Sequence, residues 1–213
     1  LTFCVWRSSR KIIVFKRANI FRILDGKHNT NISKLYVFGD ILISISKENL
    51  VVMWSLSRNK GYTVEYLDKF SLIQNNMDLP IDDERLLDNG LTSNAINITV
   101  ILHPSTYLNK ILLASDCGQL HLWNIRSKKC IYRFKQFVGR DITTVVQSPA
   151  IDVVGIGCRN GRIFVHNLKY DEVLMKFKHG DGGITSLAFR NDTFSVNRAG
   201  KDDTKNTNSI LAA

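Results

Sequence analysis

The stretch Val154–Phe177, VGIGCRNGRIFVHNLKYDEVLMKF, comes 43 positions after Ile111–Phe134, ILLASDCGQLHLWNIRSKKCIYRF. Hardly a residue is identical between the two, yet the spacing is shared. Each has a short apolar run, a polar turn ending in glycine (Gly118, Gly161) and an alternating apolar run. Five residues after the glycine stands a ring (Trp123, His166), then Asn (Asn124, Asn167), an apolar residue, a polar loop and a last apolar run ending in Phe. Alternation with period two marks half-buried strands. Between two such runs, RNGR (Arg159–Arg162) reads as a two-residue hairpin turn, because Asn and Gly both tolerate positive φ. The unit is a three-strand meander, to which AINITVILHPS and DITTVVQSP each add a preceding strand. GITSLAFRN opens a further copy, with Ile142-Thr143 and Ile184-Thr185 lying 42 apart.

The template extends backwards. Leu42–Leu56, LISISKENLVVMWSL, places Trp54 five residues after Asn49, and Phe3–Lys16, FCVWRSSRKIIVFK, places Phe15 five after Arg10. A four-strand unit recurring every 40–45 residues or so has the period of a propeller blade, roughly. Blades stack face to face because none can bury both faces alone. The expected fold is all-β: an incomplete β-propeller of about four to five antiparallel blades, its ring not closed within these residues. The expected boundaries are a partial blade 1–28 lacking its first strand, a second blade 29–70, an inter-blade insertion 71–94, a third blade 95–138 and a fourth 139–180. The start of a fifth follows at 181–213, interrupted by a polar insertion 191–208. The acidic run DLPIDDERLLDNG lies in the first insertion, and the closing NSILAA reads as a strand just beginning. Both ends read as cut from a longer protein.

With 213 residues, 44% of them hydrophobic, the chain can bury a sizeable core as one domain. No run approaches the ~20 apolar residues of a membrane-spanning helix, and no secretory leader pattern stands at the start. Cys4, Cys117, Cys130 and Cys158 lack the close C-x-x-C spacing of a zinc site. As free thiols they fit a reducing compartment, cytosol or nucleus. The net charge of +10 fits either an acidic partner, such as RNA or an acidic protein surface, or a surface that is basic only for solubility. Three basic groups are candidate contacts: Arg7, Arg10 and Lys11; Lys16 and Arg17; Arg126, Lys128 and Lys129. All read as hairpin loops, where a propeller is exposed. No aromatic-studded strand of the RNA-recognition-motif type accompanies them.

Catalytic patterns do not assemble. There is no G-x-S-x-G elbow, H-E-x-x-H pair or phosphate-cradling glycine loop, and the acid pairs Asp82-Asp83 and Asp202-Asp203 have no His or Lys partner motif. The five histidines are dispersed. His166 takes the repeat's tryptophan position and His121 lies two residues before Trp123. His28 and His179 precede inner strands, where blades of this sort keep a structural histidine. Trp54 and Trp123, at fixed register, read as core wedged between blades. The residues therefore indicate a non-enzymatic interaction platform with no cofactor, metal or small-molecule substrate.

Several longer stretches are more specific than the repeat. ILHPSTYLNKILLASDCGQLHLWNI, SPAIDVVGIG, HNLKYDEVLMKF and GGITSLAFR together resemble the tandem-propeller WD-repeat proteins of the small-subunit processome, members of its UTP-B subcomplex. The block His103–Ile111, HPSTYLNKI, followed by SPAIDVV, is the strongest part. The resemblance covers residues 1 to 190 and implies part of a first propeller. It also implies a nucleolar scaffold, working with UTP-B proteins, the U-three small nucleolar ribonucleoprotein and pre-ribosomal RNA in small-subunit biogenesis. No catalytic residue carries over. The alternative reading is a generic intracellular WD-repeat adaptor for a ubiquitin ligase, trafficking or chromatin complex.

Overall fold

The computed structural model describes residues 1–6, 8–57, 62–73, 97–134, 141–180, 182–190 and 210–212. The first sheet is a three-stranded meander of β1 (Thr2–Val5), β2 (Ile12–Lys16) and β3 (Asn19–Leu24). A four-stranded sheet follows, made of β4 (Ile32–Phe38), β5 (Ile41–Ser46), β6 (Leu50–Ser57) and β7 (Thr63–Ser71). The third holds β8 (Ile98–Leu102), β9 (Lys110–Ser115), β10 (Leu120–Asn124) and β11 (Lys129–Phe134). The fourth holds β12 (Ile142–Gln147), β13 (Val153–Cys158), β14 (Arg162–Asn167) and β15 (Glu172–Lys178). A hairpin of β16 (Ala188–Arg190) and β17 (Ile210–Ala212) comes last. The C-terminal strand foreseen as a new beginning therefore pairs back, Phe189 opposite Leu211.

Every sheet is an antiparallel meander, and first strands touch first strands from blade to blade: β4 against β8, β8 against β12, β12 against β16. These inner strands surround the axis of an open ring. The core is a set of seams between blades, because successive side chains on a strand point to opposite faces. On β5, Leu42 joins Ile12, Val14 and Leu24 of the first blade, while its neighbours Ile43 and Ile45 join Ile111, Leu113 and Trp123 of the third. On β9 and β10, Leu112, Ala114, Leu120 and Leu122 face Val154, Ile156 and Phe164 of the fourth. Each such buried aliphatic side chain contributes about 1.5–3 kcal/mol.

Three inner strands carry a bulge near their start, between Ile32 and Lys34, Ile98 and Val100, and Ile142 and Thr144. The bulged residue is a hydroxyl each time. Ser33 donates to Ile45 O at 3.0 Å. Thr99 spans two blades, 3.2 Å from Ala114 O and 2.7 Å from Ile142 O. Thr143 repeats this with Gly157 O at 3.0 Å and with Ile184 O. The approach is close: a Cβ on Gly157 would lie 2.5 Å from Ile184 Cγ2.

The turn before each third strand takes one residue in the left-handed region: Asn49 (φ 60°), Gly118 (φ 82°) and Gly161 (φ 73°). Each donates its N–H three residues back, to Ser46, Ser115 and Cys158. This corrects the two-residue reading of RNGR. Three residues separate β13 from β14, and only Gly161, not Asn160, has positive φ. Asn160 instead accepts from the Arg162 N–H at 3.2 Å. Glycine is doubly required, because a Cβ at 161 would lie 2.7 Å from His179 O. The first blade departs from the pattern, with Ser8 (φ 65°) at positive φ before Arg10.

Candidate interaction surface

At the equivalent ring position of β6, β10 and β14, three residues solve one problem differently. In the second blade, Trp54 donates its indole N–H to Ser44 Oγ at 3.0 Å. His28 Nε2 lies 2.7 Å from the same oxygen, which also reaches Val52 O at 3.3 Å. All three side chains are buried, so the hydroxyl satisfies groups that would otherwise cost 1–3 kcal/mol or so unpaired. Burial, with a smaller push from Lys69, holds the His28 pKa down at about 4, so the ring is neutral.

In the third blade, Leu113 stands where Ser44 stands in the second. Trp123 is 1% exposed and its Nε1 has no acceptor among the described residues. Its ring stacks on Phe70 of the second blade, centroids 5.8 Å apart. His121, two residues away, is buried, and burial with the nearby Arg133 holds its pKa down at about 4.

In the fourth blade His166 is fully buried, edge-on to Phe134 of the third blade at 5.6 Å. Its Nε2 faces Asp171 Oδ1 at 3.2 Å, and Asp171 accepts from the Tyr132 hydroxyl of the third blade at 3.0 Å. Burial pushes the His166 pKa down and the Asp171 carboxylate opposes it. Phe15, at this register on β2, is half-buried and pairs with Ile20. Of the two histidines expected to be structural, His28 is built into the core, whereas His179 differs and is exposed beyond the end of β15, held by its N–H to Gly161 O. Among the described residues no group of three or more His, Cys, Asp or Glu is placed to hold a metal.

An antiparallel meander sends its connections to alternate ends, so each blade has two loop faces. The upper face carries the β1–β2, β5–β6, β9–β10 and β13–β14 turns; the lower carries the first-to-second and third-to-fourth-strand loops. The basic residues divide between the faces and do not form one patch. Arg10 and Lys11 lie on the upper face, where Lys11 pairs with Asp25 at 2.8 Å; Arg7 lies outside the described residues. Lys16, Arg17, Arg126, Lys128 and Lys129 lie at the lower face, Lys16 and Lys129 as strand-end residues. The Lys16 ammonium sits over the Tyr62 ring at 5.0 Å and Phe21 at 5.8 Å. Lys128 pairs with Asp68 of the neighbouring blade. The acidic run 78–90 and the polar insertion 191–208 lie outside the described residues.

The lower face is tightly organised. Block 103–111 forms the loop between β8 and β9: Tyr36 Oη accepts from the His103 N–H at 2.8 Å, and Phe38 stacks on the His103 ring at 4.5 Å. Asn124 accepts from the N–H groups of Arg126 and Ser127, and Asn167 likewise from Lys169 and Tyr170. This gives the Asn after each ring residue its physical reason, since a short amide chain closes the turn onto its own backbone. The upper side of the ring holds an open cleft of about 550 Å³ beside β1, β4 and β8, lined by Trp6, Lys34, Lys47 and Asn97 and, among the described residues, by no carboxylate, His or Cys.

A solved WD40 β-propeller domain of Doa1 superposes with TM-score 0.56 at 14% identity, covering 82% of this chain and 50% of that one, which shows the fold. WD repeat-containing protein 36 of Homo sapiens is 38% identical over 174 residues, 81% of this chain and 16% of the relative. The U3 small nucleolar RNA-associated protein 21 homolog of Schizosaccharomyces pombe is 35% identical over 192 residues, 89% of this chain and 19% of the relative. The chain thus spans less than a fifth of these relatives' length. The family model described as WDR36/Utp21 first beta-propeller matches residues 1–212. This chain belongs to the WDR36/Utp21 first β-propeller family.

Proposed function

We propose that the protein is a non-enzymatic scaffold of the small-subunit processome, supporting pre-ribosomal RNA processing in the nucleolus by holding UTP-B proteins and the U3 ribonucleoprotein in fixed geometry. The observation that carries this reading is family membership over residues 1–212, with relatives whose names tie them to U3 small nucleolar RNA. The geometry supports it: rigid seams hold two loop faces, and loops fixed on a rigid frame suit several partners at once. The excess of cations favours a phosphate-rich setting, with the salt sensitivity that brings.

The test is tagged purification of the full-length protein from nuclear extract, with and without RNase, read by mass spectrometry and RNA sequencing. UTP-B proteins retained after RNase, with U3 and pre-ribosomal RNA lost, is the expected outcome. Neither proteins nor RNAs in either sample overturns the assignment in favour of an adaptor for another complex.

A further inference from the structure

Leu108, Ile151 and Tyr170 are 82%, 72% and 69% exposed, and all three sit in lower-face loops of the third and fourth blades. Met175 and Phe177, also exposed, lie instead on an outermost strand, whose faces stack on neighbouring blades, and Trp6, 76% exposed, lies at the opposite, upper face. Blade stacking leaves loop ends open, so these three side chains stay in water when a ring is complete. Leaving large apolar groups together in water marks an interaction site.

Hydrogen bonds hold the three loops as one surface. Thr106 Oγ1 donates to Asp152 Oδ1 at 3.1 Å across the two blades. The Leu168 N–H donates to Asp152 O at 2.7 Å and the Ile125 N–H to Asn109 O at 2.9 Å. The apolar residues are thereby fixed next to positions that hold Arg126, Lys129 and Lys169. Three acids near this face are engaged, Asp68 with Lys128, Asp152 with Thr106, and Asp171 with His166 and Tyr132, while Glu172 at the start of β15 is exposed. Among the described residues no carboxylate pairs with Arg126, Lys129 or Lys169.

We propose that the lower face of the third and fourth blades docks a partner protein's acidic segment bearing aliphatic anchor residues. Leu108, Ile151 and Tyr170 receive the anchors, and Arg126, Lys129 and Lys169 receive the carboxylates. Charge complementarity selects acidity, and the aliphatic pair selects protein over nucleic acid. Bases stack on planar rings, which Leu108 and Ile151 do not offer. The inference rests on the scaffold reading and names the surface it uses.

The experiment places a photo-crosslinking phenylalanine analogue at position 108 of the full-length protein in its own cells, and U3 RNA is counted in the same purified particles. The expected result is an adduct at 108 to a protein peptide with Asp or Glu beside Leu, Ile or Phe. Its yield should fall about tenfold with Arg126→Glu, Lys129→Glu and Lys169→Glu combined, the scale of lost charge complementarity. The charge-conserving set Arg126→Lys, Lys129→Arg and Lys169→Arg should keep it. An adduct to RNA, no adduct, or an adduct indifferent to charge reversal overturns the proposal. Absence of U3 RNA from the particles overturns the scaffold reading instead, whatever the crosslink shows.

Discussion

The seam between the first and second blades and the seam between the second and third are built on the same template around a buried tryptophan, yet they handle its indole N–H in opposite ways. Trp54 sits in a polar relay, its N–H given to Ser44 with His28 on the same hydroxyl. Trp123 sits against Leu113 and Phe70 with no acceptor among the described residues. The ring's volume and register are common to both seams, and the hydrogen bond is an option that each blade settles by one residue on the neighbouring strand. The third-to-fourth seam goes further and replaces the indole by His166, recovering a polar tie through Asp171 to Tyr132.

The comparison breaks if the two tryptophans are not equally needed for volume. Trp54→Ala and Trp123→Ala should each cost about 3–5 kcal/mol, the scale of a large aromatic cavity, in denaturant unfolding of the propeller. Unequal costs, with one below 1 kcal/mol or so, would mean that one seam collapses and the other does not. Phenylalanine sharpens the contrast by keeping most of the volume and deleting the N–H. Trp54→Phe should cost 1–3 kcal/mol or so beyond Trp123→Phe, because it strips a partner from the buried Ser44–His28 pair. Equal costs would show that the relay adds nothing.

Acid probes both seams through their histidines. His28 and His121 have pKa values lowered from 6.5 to about 4 in the folded chain, so the unfolded chain binds protons that the folded one excludes. The stability they contribute is intact above pH 6.5 and is lost as pH falls toward 4, with a loss on the order of 1–2 kcal/mol for each ring by pH 5. Unfolding midpoints measured at pH 7 and 5 should show this drop, and His28→Gln should reduce it. The smallest effect expected is Asp171→Asn, about 1 kcal/mol for a partly buried tie between blades, measured against Tyr132→Phe. If the two losses add fully, the Tyr132–Asp171 bond is not the shared element.

Much of this architecture was legible because it is periodic. Gly118 and Gly161, the ring five residues on and the Asn after it mark strands and turns by spacing alone. The turn at Arg159–Arg162 is one residue longer than its Asn-Gly pair suggests, since the close approach of His179 O to Gly161 is a contact between segments. The difference between Ser44 and Leu113 was printed in the sequence too, but its meaning depends on which face of β5 and β9 meets the tryptophan. His28 and His179 look alike along the chain and differ in burial, which the surrounding blades decide. Arg10, Lys11, Arg17 and Arg126 are exposed turn positions, as their spacing suggests, while Lys16 and Lys129 end strands. The division of the basic residues between two faces was not legible, because it follows from strand direction and not from distance along the chain. The same holds for the lower face, where the loops of Leu108 and Ile151 are joined only when two blades stand side by side.

The hydroxyls at the inner-strand bulges give the ring a direction in time. Thr99 donates forward to Ile142 O, and Thr143 forward to Ile184 O, so each donor is synthesised before its acceptor. Domains emerge from the ribosome N-terminal end first, and a finished blade therefore leaves the exit tunnel presenting a hydroxyl to a strand not yet translated. In both cases the earlier blade carries the donor that fixes the height of the next inner strand.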